Sequence, residues 1–109
     1  MTRVIFRLSQ RGGYRGYTAE GHAETVGQGE YSAVCAAVSA LTITGVNALE
    51  KVAGIHPVAE ARDGQLACFL PPDLDDAAWE RAQIILRTVE TGLTDIQRQY
   101  SEYVRIEVQ

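Results

Sequence analysis

One cysteine and one histidine in this chain have the types and spacing needed for nucleophilic chemistry. Cys35 lies in an apolar segment that is predicted to open a helix, and His22 precedes it by thirteen positions. Unpaired N–H groups and the positive end of the helix dipole favour the reactive thiolate over the thiol. The intervening segment is long enough to bring the imidazole within hydrogen-bond reach as a base or ion-pair partner. The alternative is structural, because a cysteine between Val34 and Ala36 is most often part of a core.

The segment around Cys35 is predicted to be a helix that is apolar on two faces. Ser32 is a good N-cap residue, so the helix is expected to begin at Ala33 and to run to about Ala53, with Gly54 as its stop. One apolar stripe contains Val34, Val38, Leu41, Gly45, Ala48 and Val52, and the second face contains Ala36, Ala40 and Ile43. Such a helix needs a sheet on one side and a second cover, such as a twin subunit, on the other.

Two β-hairpins are predicted on either side of this helix. The first joins residues 3–8 and 14–19 through a turn that contains a glycine pair. The second joins residues 55–61 and 65–70 around Asp63-Gly64, which is the strongest short-range hairpin signal in the chain.

The rest of the chain predicts one more helix and one more strand. Pro71-Pro72 ends the second hairpin, and Asp73 or Asp75 is expected to cap a helix. The buried stripe of that helix is predicted to contain Ala82, Leu86, Val89, Leu93, Ile96 and Tyr100. Residues 103–108 alternate as an edge strand does. The predicted fold is a single α+β domain, residues 1–109, in which two helices pack on an antiparallel sheet in β-β-α-β-β-α-β order.

Composition limits the classes of function. The chain has 109 residues, of which 46% are hydrophobic and 22% charged, as in ordinary soluble domains. The net charge of −4 argues against direct binding of nucleic acid and favours a basic protein or peptide as partner. Two histidines and two cysteines without CxxC or HxxxH spacing give no grounds for a metal or another cofactor.

The N-terminus and the apolar segment suggest a cytoplasmic protein. Residues 1–7 carry arginines and no apolar run, so they do not predict a signal peptide. Residues 32–49 are judged too polar and slightly too short to span a membrane. A reducing compartment is then expected to keep Cys35 and Cys68 as free thiols, with Cys68 packed in an apolar strand.

Two motifs resemble a known family. Gly21-His22-Ala23, followed after a glycine-containing segment by Val-Cys-Ala-Ala-Val-Ser-Ala-Leu at residues 34–41, is similar to the ribosomal-processing cysteine proteases called Prp, the YsxB-like family. The similarity continues through residues 45–49, Asp63-Gly64, Leu70-Pro71 and residues 82–86, and so covers nearly the whole chain.

The resemblance implies a function, a site and an assembly. The family is an α+β homodimeric endopeptidase that removes an N-terminal extension from bacterial ribosomal protein L27 without a cofactor. Its cysteine nucleophile corresponds to Cys35, and its histidine base corresponds to His22.

Residues 24–31 contain two glycines and no helical or alternating period, so they are predicted to form a loop before Cys35 that binds the substrate peptide. The residues expected to contact it are Gly29, Glu30, Tyr31 and Ser32. The family pattern carries an aspartate three positions before the cysteine, where this chain has Ser32. Both residue types cap helices, but the serine removes a carboxylate that would oppose a nearby thiolate.

Two other classes of function remain open from the sequence. A ribosome-associated or regulatory binding protein of the same fold would have an ordinary, slowly alkylated Cys35. A thiol redox sensor would link Cys35 to Cys68 or to a second chain under mild oxidation.

Overall fold

The computed structural model describes residues 1–21 and 29–109, and for residues 30–32 it describes the backbone alone. The elements are β1 (Thr2–Leu8), β2 (Tyr14–Glu20), α1 (Glu30–Lys51), β3 (Val58–Arg62), β4 (Gln65–Phe69), α2 (Asp76–Gln99) and β5 (Val104–Val108). The predicted element order and both predicted hairpins are therefore confirmed.

The five strands form one sheet in the order β3-β4-β2-β1-β5. The pairs β1–β2, β2–β4 and β3–β4 are antiparallel, whereas β5 runs parallel to β1. The prediction of a wholly antiparallel sheet is thus wrong at β5. The reason is the crossover through α2, which returns the chain to the end of the sheet where β4 began, so that the next strand runs in the same direction.

Both helices cover the same face of this sheet. Side chains alternate across a strand, and the inward-facing set on four strands is buried. This set comprises Thr2, Val4, Phe6, Tyr17, Ala19, Leu66, Cys68 and Val104. On α2 the predicted stripe is buried at Ala82, Leu86, Val89 and Leu93. Asp75 is the N-cap of α2, because its carboxylate accepts a 2.8 Å hydrogen bond from the backbone N–H of Ala78.

The start of α1 differs from the prediction. The helix begins at Glu30 with Gly29 as its N-cap, and the N–H of Ala33 donates to the Gly29 carbonyl at 3.2 Å. Ser32 therefore lies inside the first turn, and its predicted role as the cap is wrong. Gly29 takes a φ of +110°, a conformation that residues with a side chain rarely adopt, so the chain enters the helix earlier than the serine signal indicated.

The end of α1 also shifts by about two residues. The helix ends at Lys51 with Val52 as its C-cap, and the Val52 side chain is 77% exposed rather than part of the buried stripe. Ala53 is buried in its place, and Gly54 follows with a φ of +69°. The left-handed glycine ends the helix as predicted.

One face of α1 packs on the sheet through a buried polar contact. The Tyr17 hydroxyl on β2 donates a 2.5 Å hydrogen bond to the Thr42 carbonyl, and Gly45 leaves the space that the tyrosine ring occupies. Burial raises the pKa of Tyr17, so the hydroxyl keeps its proton. The second apolar face, at Ala36, Ala40 and Ile43, is exposed in the single chain.

By length and composition α1 contains a candidate membrane span. Ala33–Lys51 has 19 residues with a mean hydropathy of 1.5, so the judgement from sequence that this region is too short and too polar needs correction. The core helix of a soluble protein meets the same criteria, and this helix packs on the sheet through Val34, Val38 and Leu49.

We expect Gly45→Ala to destabilise the fold. An added Cβ would clash with the Tyr17 hydroxyl and would lie 2.9 Å from Cγ2 of Val89 on α2. Overpacking of this kind lowers the free energy of unfolding by about 1–3 kcal/mol, against a gain of up to about 1 kcal/mol in helix propensity. Urea denaturation measures the change. In a Tyr17→Phe background the penalty should shrink, and an unchanged or increased stability of Gly45→Ala would contradict the packing described.

Candidate active site

Cys35 lies on α1 where the helix crosses the beginning of β1. Its side chain is 4% exposed, and its Sγ is 3.0 Å from Oγ1 of Thr2, with either atom able to donate the hydrogen bond. Thr2 is fully buried, and its backbone N–H donates to the Tyr103 carbonyl at 2.9 Å. The thiol therefore points toward the sheet at the start of β1, where α1, β1 and the residue that precedes β5 meet.

The earlier start of α1 changes the electrostatics expected at Cys35. With Glu30 as the first helical residue, Cys35 is the sixth residue of the helix and lies in its second turn. The N–H groups without an intrahelical acceptor belong to the first turn, and the effect of the dipole falls off over that distance. The prediction that Cys35 is third in the first turn is thus wrong, and the start of α1 is farther from its sulfur than the sequence indicated.

The other half of the predicted pair follows the end of β2. Gly21 has a φ of +92°, and its N–H donates to the Gly64 carbonyl at 2.9 Å. A Cβ on Gly21 would lie 2.5 Å from the Met1 carbonyl oxygen and 3.6 Å from the Thr2 Cα. His22 is the next residue and lies outside the described part of the chain, so its role as the base stays a prediction.

The start of β1 is therefore a neighbour of both Cys35 and Gly21, the residue before His22. Thr2 contacts Cys35 through its side chain and lies beside Gly21 through its backbone. Reasoning from the sequence missed Thr2 because none of the recognised motifs includes it and the predicted strand began at residue 3. The only available signal was strand alternation, which puts Thr2 on the same face as Val4 and Phe6.

The predicted substrate-binding residues form the start of α1 rather than a loop. Gly29 is exposed and is the N-cap, and the backbones of Glu30, Tyr31 and Ser32 make the first helical turn. The expectation that the whole of residues 24–31 is a loop is therefore wrong at its end. Residues 24–28 of that segment lie outside the described residues.

A charged surface depression adjoins Gly21. It has a volume of about 380 Å³ and is lined by Met1, Arg3, Glu20, Gly21, Asp63, Gly64 and Gln65. The Arg3 guanidinium pairs with Glu107 and, at 3.4 Å, with Glu20. Hydrogen bonding to Arg3 holds the pKa of the Glu107 carboxyl below its usual value. Glu20 and Asp63 make the depression acidic next to Gly21, the residue that precedes His22.

The second cysteine belongs to the core, as predicted. Cys68 on β4 is fully buried, and burial raises the pKa of its thiol to about 11. Neither Cys35 nor Cys68 is in a disulfide. Within residues 1–21 and 29–109, no three or more histidine, cysteine or acidic side chains cluster in a way that would hold a metal ion.

Comparison with known proteins defines the class of this α+β domain with its buried cysteine. The model of the family described as cysteine protease Prp matches residues 1–105. The ribosomal processing cysteine protease Prp of Bacillus subtilis (strain 168) is 31% identical over 108 residues, covering 97% of this chain and 96% of that protein. The chain belongs to the cysteine protease Prp family, and it is a cysteine-type peptidase.

Solved structures agree over the full length of the chain. The essential ribosomal processing protease Prp from S. aureus, in complex with a covalently linked product peptide, is 26% identical with a TM-score of 0.83. The same S. aureus protease in complex with a substrate peptide has a TM-score of 0.85 at 24% identity. Each comparison covers 100% of both chains, so the fold of two helices on a five-stranded sheet is shared throughout.

We expect Gly21→Ala to impair peptidase activity more than it impairs folding. The new Cβ would meet the Met1 carbonyl, so either β1 or the backbone leading to His22 must shift. A displacement of about 1 Å in a catalytic group costs roughly a hundredfold in rate. Cleavage of a fluorogenic peptide substrate, followed beside thermal unfolding, measures both effects.

Gly12→Ala is the matched control for this substitution. Gly12 has a similar φ of +97°, but a Cβ there has no heavy atom within 4 Å. Both variants should lose stability through backbone strain, Gly21→Ala more so because of the contact with Met1, while Gly12→Ala keeps its activity. Equal activity in the two variants would contradict the role given to Gly21.

Proposed function

We propose that this protein is a ribosomal-processing endopeptidase that removes an N-terminal extension from ribosomal protein L27, with Cys35 as nucleophile and His22 as base. The observation that supports the proposal is the match to the cysteine protease Prp family, together with Cys35, which lies at the meeting point of α1 and β1 with its Sγ against Thr2. The S. aureus relative with a covalently linked product peptide supports covalent catalysis in this fold.

The proposed reaction has two chemical steps. His22 takes the thiol proton, and the Cys35 sulfur attacks the scissile carbonyl carbon to give a tetrahedral oxyanion. Collapse of that intermediate breaks the C–N bond, and the imidazolium gives its proton to the departing amine. Water, deprotonated by His22, then attacks the thioester and releases the carboxylate product with the thiol restored.

The start of α1 is the proposed binding element for the peptide. The backbone N–H groups of Glu30, Tyr31 and Ser32 lie in the first helical turn, where N–H groups have no acceptor within the helix. Donors of this kind stabilise the negative charge that develops on the carbonyl oxygen. We propose that Gly29 and these three residues contact the substrate next to the scissile bond.

The charge of the protein suits a basic substrate. The chain carries a net charge of −4, and the depression beside Gly21 is lined by Glu20 and Asp63. A basic ribosomal protein is drawn to such a surface, whereas direct binding to nucleic acid phosphates is disfavoured.

Cys35→Ala and His22→Ala should both abolish processing of an extended L27. Removal of a covalent nucleophile or its base lowers turnover by at least about a thousandfold. Mass spectrometry of full-length L27 carrying its extension gives the cleavage site and the rate. Processing by Cys35→Ala at the wild-type rate would contradict the mechanism.

Cys68→Ala is the matched control for these variants, because it removes the other thiol from the core and leaves the site intact. It should process L27 at a rate close to that of the wild type. If the wild type cleaves other extended peptides but not L27, the peptidase mechanism stands and the substrate assignment is wrong. If Cys35 instead reacts with iodoacetamide no faster than an ordinary thiol, its assignment as the activated nucleophile is wrong.

We also propose that the protein acts as a homodimer through the exposed face of α1. Ala36, Ala40 and Ile43 are exposed, and Ile43 is 52% exposed. This face continues into an apolar groove between α1 and the edge strand β3, whose lining includes Val46, Ala59, Ala61 and Leu66. A second copy of the chain would cover both the helix face and the strand edge, which are costly to leave in water.

Ile43→Glu should dissociate the dimer. A carboxylate at the centre of an apolar contact weakens association by at least about tenfold, because it must be desolvated without a partner. Sedimentation velocity across a range of protein concentrations measures the effect. Ile84→Glu is the control, since Ile84 on α2 is also a highly exposed isoleucine at 68% exposure. A dimer that survives Ile43→Glu would show that the interface lies elsewhere.

The proposed place of action is the cytoplasm. Neither cysteine is in a disulfide, and a reducing compartment keeps thiols in that form. A nucleophilic thiol and newly made ribosomal proteins are available together in that compartment.

A further inference from the structure

We propose that Thr2 is a positioning residue for Cys35. The Thr2 hydroxyl donates a hydrogen bond to the Cys35 thiolate and holds the sulfur at the meeting point of β1 and α1. This inference rests on the proposed function, because it assigns Thr2 a role in preparing the proposed nucleophile. The starting observation is the 3.0 Å separation of the Thr2 Oγ1 and the Cys35 Sγ, with both residues buried.

The position of the Thr2 hydroxyl is fixed by the fold. The backbone of Thr2 pairs with Val104 on β5, and its N–H is bound by the Tyr103 carbonyl at 2.9 Å. A β-branched side chain on such a strand has few accessible χ1 rotamers. The hydroxyl is therefore held against Cys35 rather than merely free to reach it.

The chemistry of the pair gives the hydroxyl a direction. When Cys35 is a thiol, either group donates, but a thiolate has no proton, so Thr2 must then be the donor. A hydrogen bond to the charged form favours that form, and it is stronger when buried than in water. Because Cys35 lies in the second turn of α1, this donor supplements the weakened effect of the helix dipole.

The same contact links the nucleophile to the segment that leads to His22. Thr2 lies beside Gly21 through its backbone while its side chain contacts Cys35. A shift in the position of β1 would therefore displace both Cys35 and Gly21. Thr2 thus positions the sulfur without touching the substrate or taking part in a bond change.

The test compares Thr2→Val with Thr2→Ser in a Cys68→Ala background, so that Cys35 is the single thiol. Valine keeps the shape of threonine and removes the donor, whereas serine keeps the donor and removes the methyl group. At pH 7, alkylation of Cys35 by iodoacetamide should slow by about tenfold in Thr2→Val and stay within about twofold of the parent in Thr2→Ser. Unfolding curves confirm that both variants are folded.

A second pH separates stabilisation of the thiolate from altered access to the sulfur. At about pH 10, where an ordinary thiol is ionised without help, the rates of Thr2→Val and its parent should converge. A tenfold gap that persists at high pH, equal slowing in both variants, or no slowing in Thr2→Val would each overturn the proposal. Thr18→Val is the control, because that hydroxyl lies on the outer face and accepts from Arg7 at 3.4 Å.

The alkylation assay does not depend on the identity of the substrate. Failure of L27 processing would overturn the substrate assignment, and the effect of Thr2 on Cys35 could still be interpreted. If peptide cleavage is measured as well, Thr2→Val should lower kcat by about tenfold with KM unchanged, as expected for a group that acts on the nucleophile alone.

Discussion

The contact between the first residue of β1 and the second turn of α1 is the constraint on which the site depends. Thr2 is held by the Tyr103 carbonyl on one side and lies against Gly21 on the other, while its side chain contacts Cys35. Two parts of the chain that are far apart in sequence thereby share one neighbour. Because β1 is flanked by β2 and β5, its beginning cannot move without disturbing both strand pairings.

Side chains on the inner face of the sheet set the distance between α1 and the sheet. Tyr17 reaches from β2 to the Thr42 carbonyl, and Gly45 gives the ring its space. Helix α2 packs beside α1 and covers the rest of the face with its own buried stripe. A bulky side chain at position 45 would therefore act on the site from a distance, through the separation of α1 from the sheet.

The start of α1 and the start of β1 supply different hydrogen-bond donors to the site. The first turn of α1 offers backbone donors, but Cys35 lies beyond it and has Thr2 at its sulfur instead. The proposed mechanism uses the unpaired donors of the helix for a substrate oxygen, and it gives the nucleophile a donor from the sheet. The separation follows from Gly29, whose backbone conformation lets the helix begin before Ser32.

The sequence by itself determined the element order, the two hairpin turns and the pair Cys35 and His22 as candidates. Each of these rests on local chemistry: glycine in tight turns, the periodicity of α2, and a resemblance carried by adjacent residues. Patterns of this kind can be recognised in a sequence because the residues that form them are close together in the chain. The true cap of α1 was missed because Ser32 is a strong cap signal, and the conformation of Gly29 that overrides it is a backbone property.

Only the tertiary structure decided the parallel pairing of β5, the exposure of Val52 and the contact between Thr2 and Cys35. The direction of β5 depends on how α2 crosses the sheet, and no residue within β5 records that path. The contact joins positions 33 residues apart, and neither residue type indicates that the other is its partner. Such features arise from the packing of whole elements, so they become visible only when the distances between those elements are known.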